Sequence, residues 1–185
     1  MARALCTETG LFHNPSGVAL ARHDRRPVGA IVRAMKTIRV ERSLKVSAER
    51  AFEVFADHAG YASFPGIESS ELTRPGVTEP NGVGAIRRIG VTGAWFEEEI
   101  TLFERPHKLG YRIIRSRPPI EHRGGLVELT PTATGCDVVL TTTFRIAIPV
   151  LGRLLTPLVA RRMAKLFGRA IALVDERAAA TASAG

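Results

Sequence analysis

From Ile38 the chain alternates. Ile38, Val40, Leu44 and Val46 fall on one side and Arg39, Glu41, Ser43 and Lys45 on the other, the period-two signature of a half-buried strand. Ser47 then has the chemistry of a helix N-cap, and Ala48, Ala51, Phe52 and Phe55 follow at helical spacing, so "AERAFEVFADH" predicts a short amphipathic helix. "AGYASFPGI" reads as a turn or a second short helix ending at Pro65 and Gly66. Six strand-like stretches come next, "IESSELT", "AIRRIGV", "WFEEEITLFE", "LGYRIIR", "RGGLVELT" and "CDVVLTTTFRI", separated by short turn sequences such as "PNGVG", "TG" and "RPHK". Connections this short exclude parallel crossovers and predict an antiparallel meander. "VLGRLLTPLVARRMAKLFGRAIALVDERAAA" closes the chain as one long helix, with Leu151, Leu155, Val159, Met163, Leu166, Ala170 and Leu173 as its apolar stripe and Pro157 as a point of kinking.

The expected fold class is therefore α+β: a curved antiparallel sheet of about seven strands wrapped around a long C-terminal helix, with one or two short helices after the first strand. A curved sheet cannot bury its concave face alone, and the C-terminal helix is the element able to cover it. A single helix rarely fills such a sheet, so a cavity between the two is expected.

Length and composition narrow the picture. The 185 residues suit one domain with a tail, and 45% hydrophobic residues are enough for a core. The net charge of +8 is spread along the chain without a basic run, which argues against a nucleic-acid arm. Cys6 and Cys136 are far apart and make neither a disulfide framework nor a metal spacing. "MARALCTETGLFHNPS" has no apolar leader core, and the longest apolar run, "IAIPVLG", is too short to cross a bilayer, so a cytoplasmic location is expected. Residues 1–34 lack sustained periodicity; they read either as a disordered tail or as sequence upstream of a natural start at Met35. The domain is then 35–180, with 181–185, "TASAG", a frayed end.

The order of elements resembles the START-related helix-grip superfamily, in particular its polyketide cyclase/dehydrase and lipid-transport branch. The resemblance covers residues 37–173 and rests on "VSAERAFEVFADHAGYASFPGI", "GVGAIRRI", "EEEITLFERPHKLGYRI" and "LVELTPTATGCDVVLTTTFRI". Its most specific part is the series Glu98, Ile100, Phe103, Pro106, Leu109 and Tyr111. None of these is a catalytic signature. The resemblance implies a fold and a pocket, in a superfamily that includes carriers, cyclases and chaperone activators.

Three adjacent glutamates in "WFEEEITLF" invite a metal or acid–base reading, and strand parity separates them. Phe96, Glu98, Ile100 and Leu102 share one face; Trp95, Glu97, Glu99, Thr101 and Phe103 share the other. A two-residue turn at Thr92 and Gly93 sets Arg87 opposite Glu98 and Arg88 opposite Glu97. Glu98 then points inward with an arginine partner, as a structural ion pair or as the polar anchor of an apolar pocket. A tight turn at Pro106 and His107 sets Tyr111 opposite Leu102 and Arg115 opposite Glu98, and Arg42 is the lone inward charge of the first strand. The candidate ligand-binding residues are accordingly Glu98, Arg87, Tyr111, Leu102, Ile100, Phe96, Arg115 and Arg42. His122, His58 and His107 read as exposed, and no metal site or cofactor is expected.

Three functions compete. The first is binding of a small hydrophobic molecule in the cavity, lipid- or polyketide-like by resemblance. The second is a cyclase- or dehydrase-type enzyme with Glu98 as acid/base; an arginine partner, by fixing Glu98 as an anion, weighs against it. The third is an interaction protein using the basic helix face of Arg161, Arg162, Lys165 and Arg169, with peripheral membrane contact as one form. Nothing in the sequence speaks to oligomeric state.

Overall fold

The structure, a computed structural model, describes residues 35–183. The expectations for residues 1–34 and 184–185 lie outside them. The elements run β1 (Lys36–Leu44), α1 (Ala48–Ala56), a 3-10 turn (Ala59–Ser63), β2 (Ser69–Arg74), β3 (Ile86–Val91), β4 (Ala94–Glu104), β5 (Lys108–Arg117), β6 (Ile120–Thr132), β7 (Gly135–Ile146) and α2 (Leu151–Ser183). All seven strands form one antiparallel sheet in the order β1-β7-β6-β5-β4-β3-β2, a meander from β2 to β7 with β1 added at the far edge.

Local chemistry accounts for the joints. Ser47 caps α1 by accepting from the Arg50 backbone N–H, and α1 buries Ala48, Ala51, Phe52, Phe55 and Ala56 as its spacing predicts. Asp175 of α2 accepts from the Lys45 and Val46 N–H groups at 2.8 and 3.2 Å, fixing the helix against the β1–α1 corner. At the other end of α2, the Thr156 hydroxyl accepts from Ile146 N–H and donates to the Gly152 carbonyl. The core between sheet and helices is built on Phe52, Ile100, Leu109, Val138, Ile171 and Val174, all essentially without exposed surface.

The buried face of α2 differs from the expected stripe. Its buried positions are Gly152, Thr156, Gly168, Ile171, Val174 and Ala178, whereas Leu151 is 54% exposed and Leu155, Val159, Met163, Leu166, Ala170 and Leu173 are half-buried. Close approach sets the start of this line: a Cβ at Gly152 would stand 2.2 Å from the Ile146 carbonyl oxygen, and farther along Gly168 lies in contact with Val40 and Arg42. Leu154 and Leu158 are left 71% and 63% exposed. The close packing partners of α2 are β1, β7 and α1; β3, β4 and β5 lie farther from it.

Candidate functional site

The β3–β4 hairpin is regular and turns at Thr92 and Gly93, which sets Arg87 opposite Glu98 and Ile89 opposite Phe96 on the concave face. Arg87 Nε donates to Glu98 Oε2 at 2.9 Å, and Nη2 lies 2.8 Å from the same oxygen in the ion pair. The side chains are 4% and 9% exposed. Glu97 and Glu99 face the other way. Glu97 lies between Arg88 and Arg115, and Glu99 between Arg74 and Arg112, so each carboxylate is shared by two cations on the convex side.

The buried guanidinium is held between aromatic rings. Tyr61, from the 3-10 turn, lies 4.5 Å from it, and Tyr111 lies 5.6 Å away. Tyr61 is positioned by its hydroxyl, which donates to the Phe55 carbonyl. Burial opposes the charge on Arg87, but the Tyr61 and Glu98 oxygens around it hold its pKa above the ordinary arginine value. One nitrogen, Nη1, is buried and has no partner.

Tyr111 owes its place to Gly125. A Cβ there would fall 2.2 Å from Tyr111 Cζ and 2.6 Å from its hydroxyl, so the ring lies flat over the β6 backbone where only glycine leaves room. Burial, then the charge of Glu98, pushes the phenol pKa up, so Tyr111 stays protonated. His122 stacks on Tyr111 with centroids 5.5 Å apart. Its Nδ1 accepts from the Ile113 N–H at 2.9 Å, and its Nε2 meets Thr142 Oγ1 at 2.8 Å. The β5–β6 ladder ends at Tyr111 and Gly125, and the imidazole takes the Ile113 N–H that β6 no longer accepts. Burial, then Arg112, lowers the His122 pKa to about 4. Thr142 is also a polar neighbour of the Tyr111 phenol. His58, completely buried and near Arg87, has neither ring nitrogen partnered; burial, then the Arg87 charge, lowers its pKa to about 3.

Several expectations are corrected here. The β4–β5 turn takes three residues, and two register shifts follow, so Glu98 faces Ile113 and Arg115 faces Glu97 on the convex side, 70% exposed. Tyr111 pairs with Ile100, not Leu102, and remains buried. The shift between Ile100 and Leu102 turns Leu102 away: Phe103 takes the inward place, edge-on to Phe52 at 5.1 Å. Arg42 is exposed on β1, at the opposite side of the sheet from β3, with its guanidinium by Gly168. His122, expected on the outer face, is turned inward by the register shift between His122 and Gly124 that places it opposite Phe144. His58, expected to be solvated, is buried under the 3-10 turn and β2, where Ser70 Oγ donates to its carbonyl. Of the eight candidates, Glu98, Arg87, Tyr111, Ile100 and Phe96 share the concave face; Leu102, Arg115 and Arg42 do not join them. Tyr61, His58, His122 and Thr142 were missed, and Gly124 and Gly125 inside a strand pattern were the signal of the bulge and close approach that bring two of them in.

A seven-stranded antiparallel sheet gripping a long C-terminal helix, with a polar cluster set into its concave face, defines a helix-grip protein. Residues 35–179 match the family model "Polyketide cyclase / dehydrase and lipid transport", and the chain belongs to that family. It is similar to a solved structure from Thermus thermophilus, at 22% identity and TM-score 0.65, covering 79% of this chain and 99% of that one. It is also similar to the Zhui aromatase/cyclase of a Streptomyces species, at 21% identity and TM-score 0.65 over 78% and 95% of the two chains. A START superfamily protein of Mycobacterium smegmatis matches at 14% identity and TM-score 0.56, over 72% and 94%. No curated protein matches the chain. Among the described residues no His, Cys, Asp and Glu side chains group as a metal site, and no helix is long and apolar enough to cross a membrane.

Proposed function

We propose that the protein binds a small, largely apolar molecule between α2 and strands β3–β5, with Arg87, Glu98 and Tyr111 as its polar end and Phe96 and Ile100 among its apolar walls. The observation that carries this reading is the buried Arg87 Nη1 without a partner, in a polar cluster on strands that lie farther from α2 than β1 and β7 do. The family supports a hydrophobic ligand. Binding is favoured over acid–base turnover because the Glu98 carboxylate is already engaged, through Oε2, in a buried ion pair with Arg87. A neutral apolar dye such as Nile red should bind saturably and raise the melting temperature. A protein indifferent to the dye, with Tm unchanged, would remove this reading.

A second reading rests on the exposed Leu151, Leu154 and Leu158, which precede the exposed Arg161, Arg162, Lys165 and Arg169 on α2. Apolar residues beside cations suit an anionic bilayer surface. Sedimentation with anionic vesicles, lost in Leu154→Ser/Leu158→Ser and weakened by salt, tests it; no sedimentation at low salt rejects it.

A further inference from the structure

The convex face of the sheet carries a second arrangement, which a ligand on the concave side would not touch. Arg112, Arg115 and Arg117 are all exposed on β5. Arg112 and Arg115 are three residues apart and would fall on opposite faces of a regular strand. The register shift at Ile114 removes that difference: Arg112, Arg115 and Arg117 stand opposite Glu99, Glu97 and Trp95, which share the outward parity of β4. The extra residue therefore lines three arginines along one strand at intervals of about 7 Å, the two-residue repeat of extended chain. Arg88 and Arg74 flank the line from β3 and β2.

Glu97 and Glu99 lie low in this layer, 13% and 28% exposed, while the arginines around them are 44% to 70% exposed. Two carboxylates answer four guanidinium groups, and Arg117 adds a cation with no ion pair among the described residues. Arg88, Arg112 and Arg115 approach their carboxylates at 3.7, 3.8 and 3.4 Å and, among the described residues, make no hydrogen bond, so their donors are left for an outside acceptor. An extended acidic chain with a carboxylate at every second residue repeats at the same interval of about 7 Å, and a guanidinium receives a carboxylate in a planar fork. Single-stranded nucleic acid fits less well, because it binds on open aromatic faces, and Trp95 is half-buried with the Arg88 guanidinium 4.4 Å above its ring. A second copy, at a net charge of +8, brings like charge to like. The chain's own residues 1–34 have the wrong sign, with five arginines against Glu8 and Asp24.

We propose that the convex face is a docking surface for an extended acidic segment of a partner protein, whose alternate carboxylates are received by Arg112, Arg115 and Arg117 along β5, with Arg88 beside them. Fluorescence anisotropy with three labelled peptides tests this: alternating Glu-Ser, the same residues as one Glu block followed by one Ser block, and alternating Gln-Ser. The alternating Glu peptide should bind saturably and about fivefold more tightly than the blocked one, which cannot place its carboxylates at the same spacing. The Gln peptide should not bind, and the affinity of the Glu peptide should fall as salt rises. Arg115→Ala should weaken it about threefold, and Arg112→Ala/Arg115→Ala/Arg117→Ala should abolish it. Arg161→Ala/Lys165→Ala, which removes charge from α2 instead, should leave affinity within about twofold. No binding of the alternating peptide at low salt, equal binding of the blocked peptide, or an equal loss in the α2 variant overturns the proposal. Tighter binding of decathymidylate than of the alternating peptide overturns it too, and assigns the face to nucleic acid.

Discussion

Glu98→Gln is the most informative single change because it keeps size and hydrogen-bonding capacity and removes only the charge. The geometry sets the magnitude. Arg87 and Glu98 are 4% and 9% exposed. By contrast, the surface pair Arg39–Glu41 is 54% and 60% exposed, and such pairs contribute about 0–1 kcal/mol. With an amide in place of the carboxylate, Arg87 is a cation out of water without its counter-charge, and the Tyr61 and Tyr111 ring faces beside it offset only about 0.5–2 kcal/mol each. The expected loss of stability is about 3–5 kcal/mol, the cost of leaving one member of a buried pair unpaired. For a domain of this size that is a fall in Tm of about 6–20 °C. The double variant Arg87→Met/Glu98→Leu removes both charges and should return to within about 1 kcal/mol of the parent, or exceed it. Urea unfolding followed by circular dichroism gives all three values. A loss under about 1 kcal/mol in Glu98→Gln, or a double variant as unstable as the single, would refute the buried pair.

Acid should unfold the protein earlier than its carboxylates alone require. His58 and His122 are held neutral in the fold, down to about 3 and about 4, whereas unfolded histidine takes up a proton near 6.5. The unfolded state therefore binds more protons as pH falls from about 6.5, and stability declines across that window, by about 2 kcal/mol at pH 5 for His58 and less for the half-buried His122. His58→Gln should flatten the decline of the urea midpoint between pH 7 and 5; an unchanged slope would contradict the buried neutral ring. Gly125→Ala should cost about 1–3 kcal/mol by driving its methyl into the Tyr111 ring, and in the same variant Tyr111→Ala should recover part of the loss, read by thermal melting. Arg115→Ala, on the convex side and 70% exposed, should change stability by under about 1 kcal/mol and leave Nile red affinity unaltered; a large effect on affinity would place Arg115 in the site after all.

The parts of the fold legible in the sequence are those governed by short-range rules. The Thr92–Gly93 turn and an unbroken ladder carry parity from Arg87 to Glu98, so their pairing follows from counting residues. Parity fails where one strand gains a residue: beyond Ile100 it exchanges Leu102 for Phe103, beyond Ile113 it turns Arg115 to the convex side, and at His122 it brings an expected surface histidine onto Tyr111. His58 fails for another reason. Its burial is imposed by β2 and the 3-10 turn, elements close in space whose contact no periodicity in "ADHAGYASF" encodes. The α2 stripe fails because the helix is seated at Gly152, where a Cβ would meet the Ile146 carbonyl, and this turns the line Thr156, Gly168, Ile171 and Val174 inward in place of the leucines.

An apolar ligand seated on the Arg87–Glu98–Tyr111 cluster is detected by titrating the isotopically labelled protein with Nile red and following backbone amide and side-chain resonances. Saturable shifts with one dissociation constant are expected, centred on Arg87 Nε, Phe96, Ile100, Tyr111 and the Ile113 amide that bonds His122. Shifts confined to the outward face of α2 around Leu151, Leu154 and Leu158, or none at saturating probe, would contradict it.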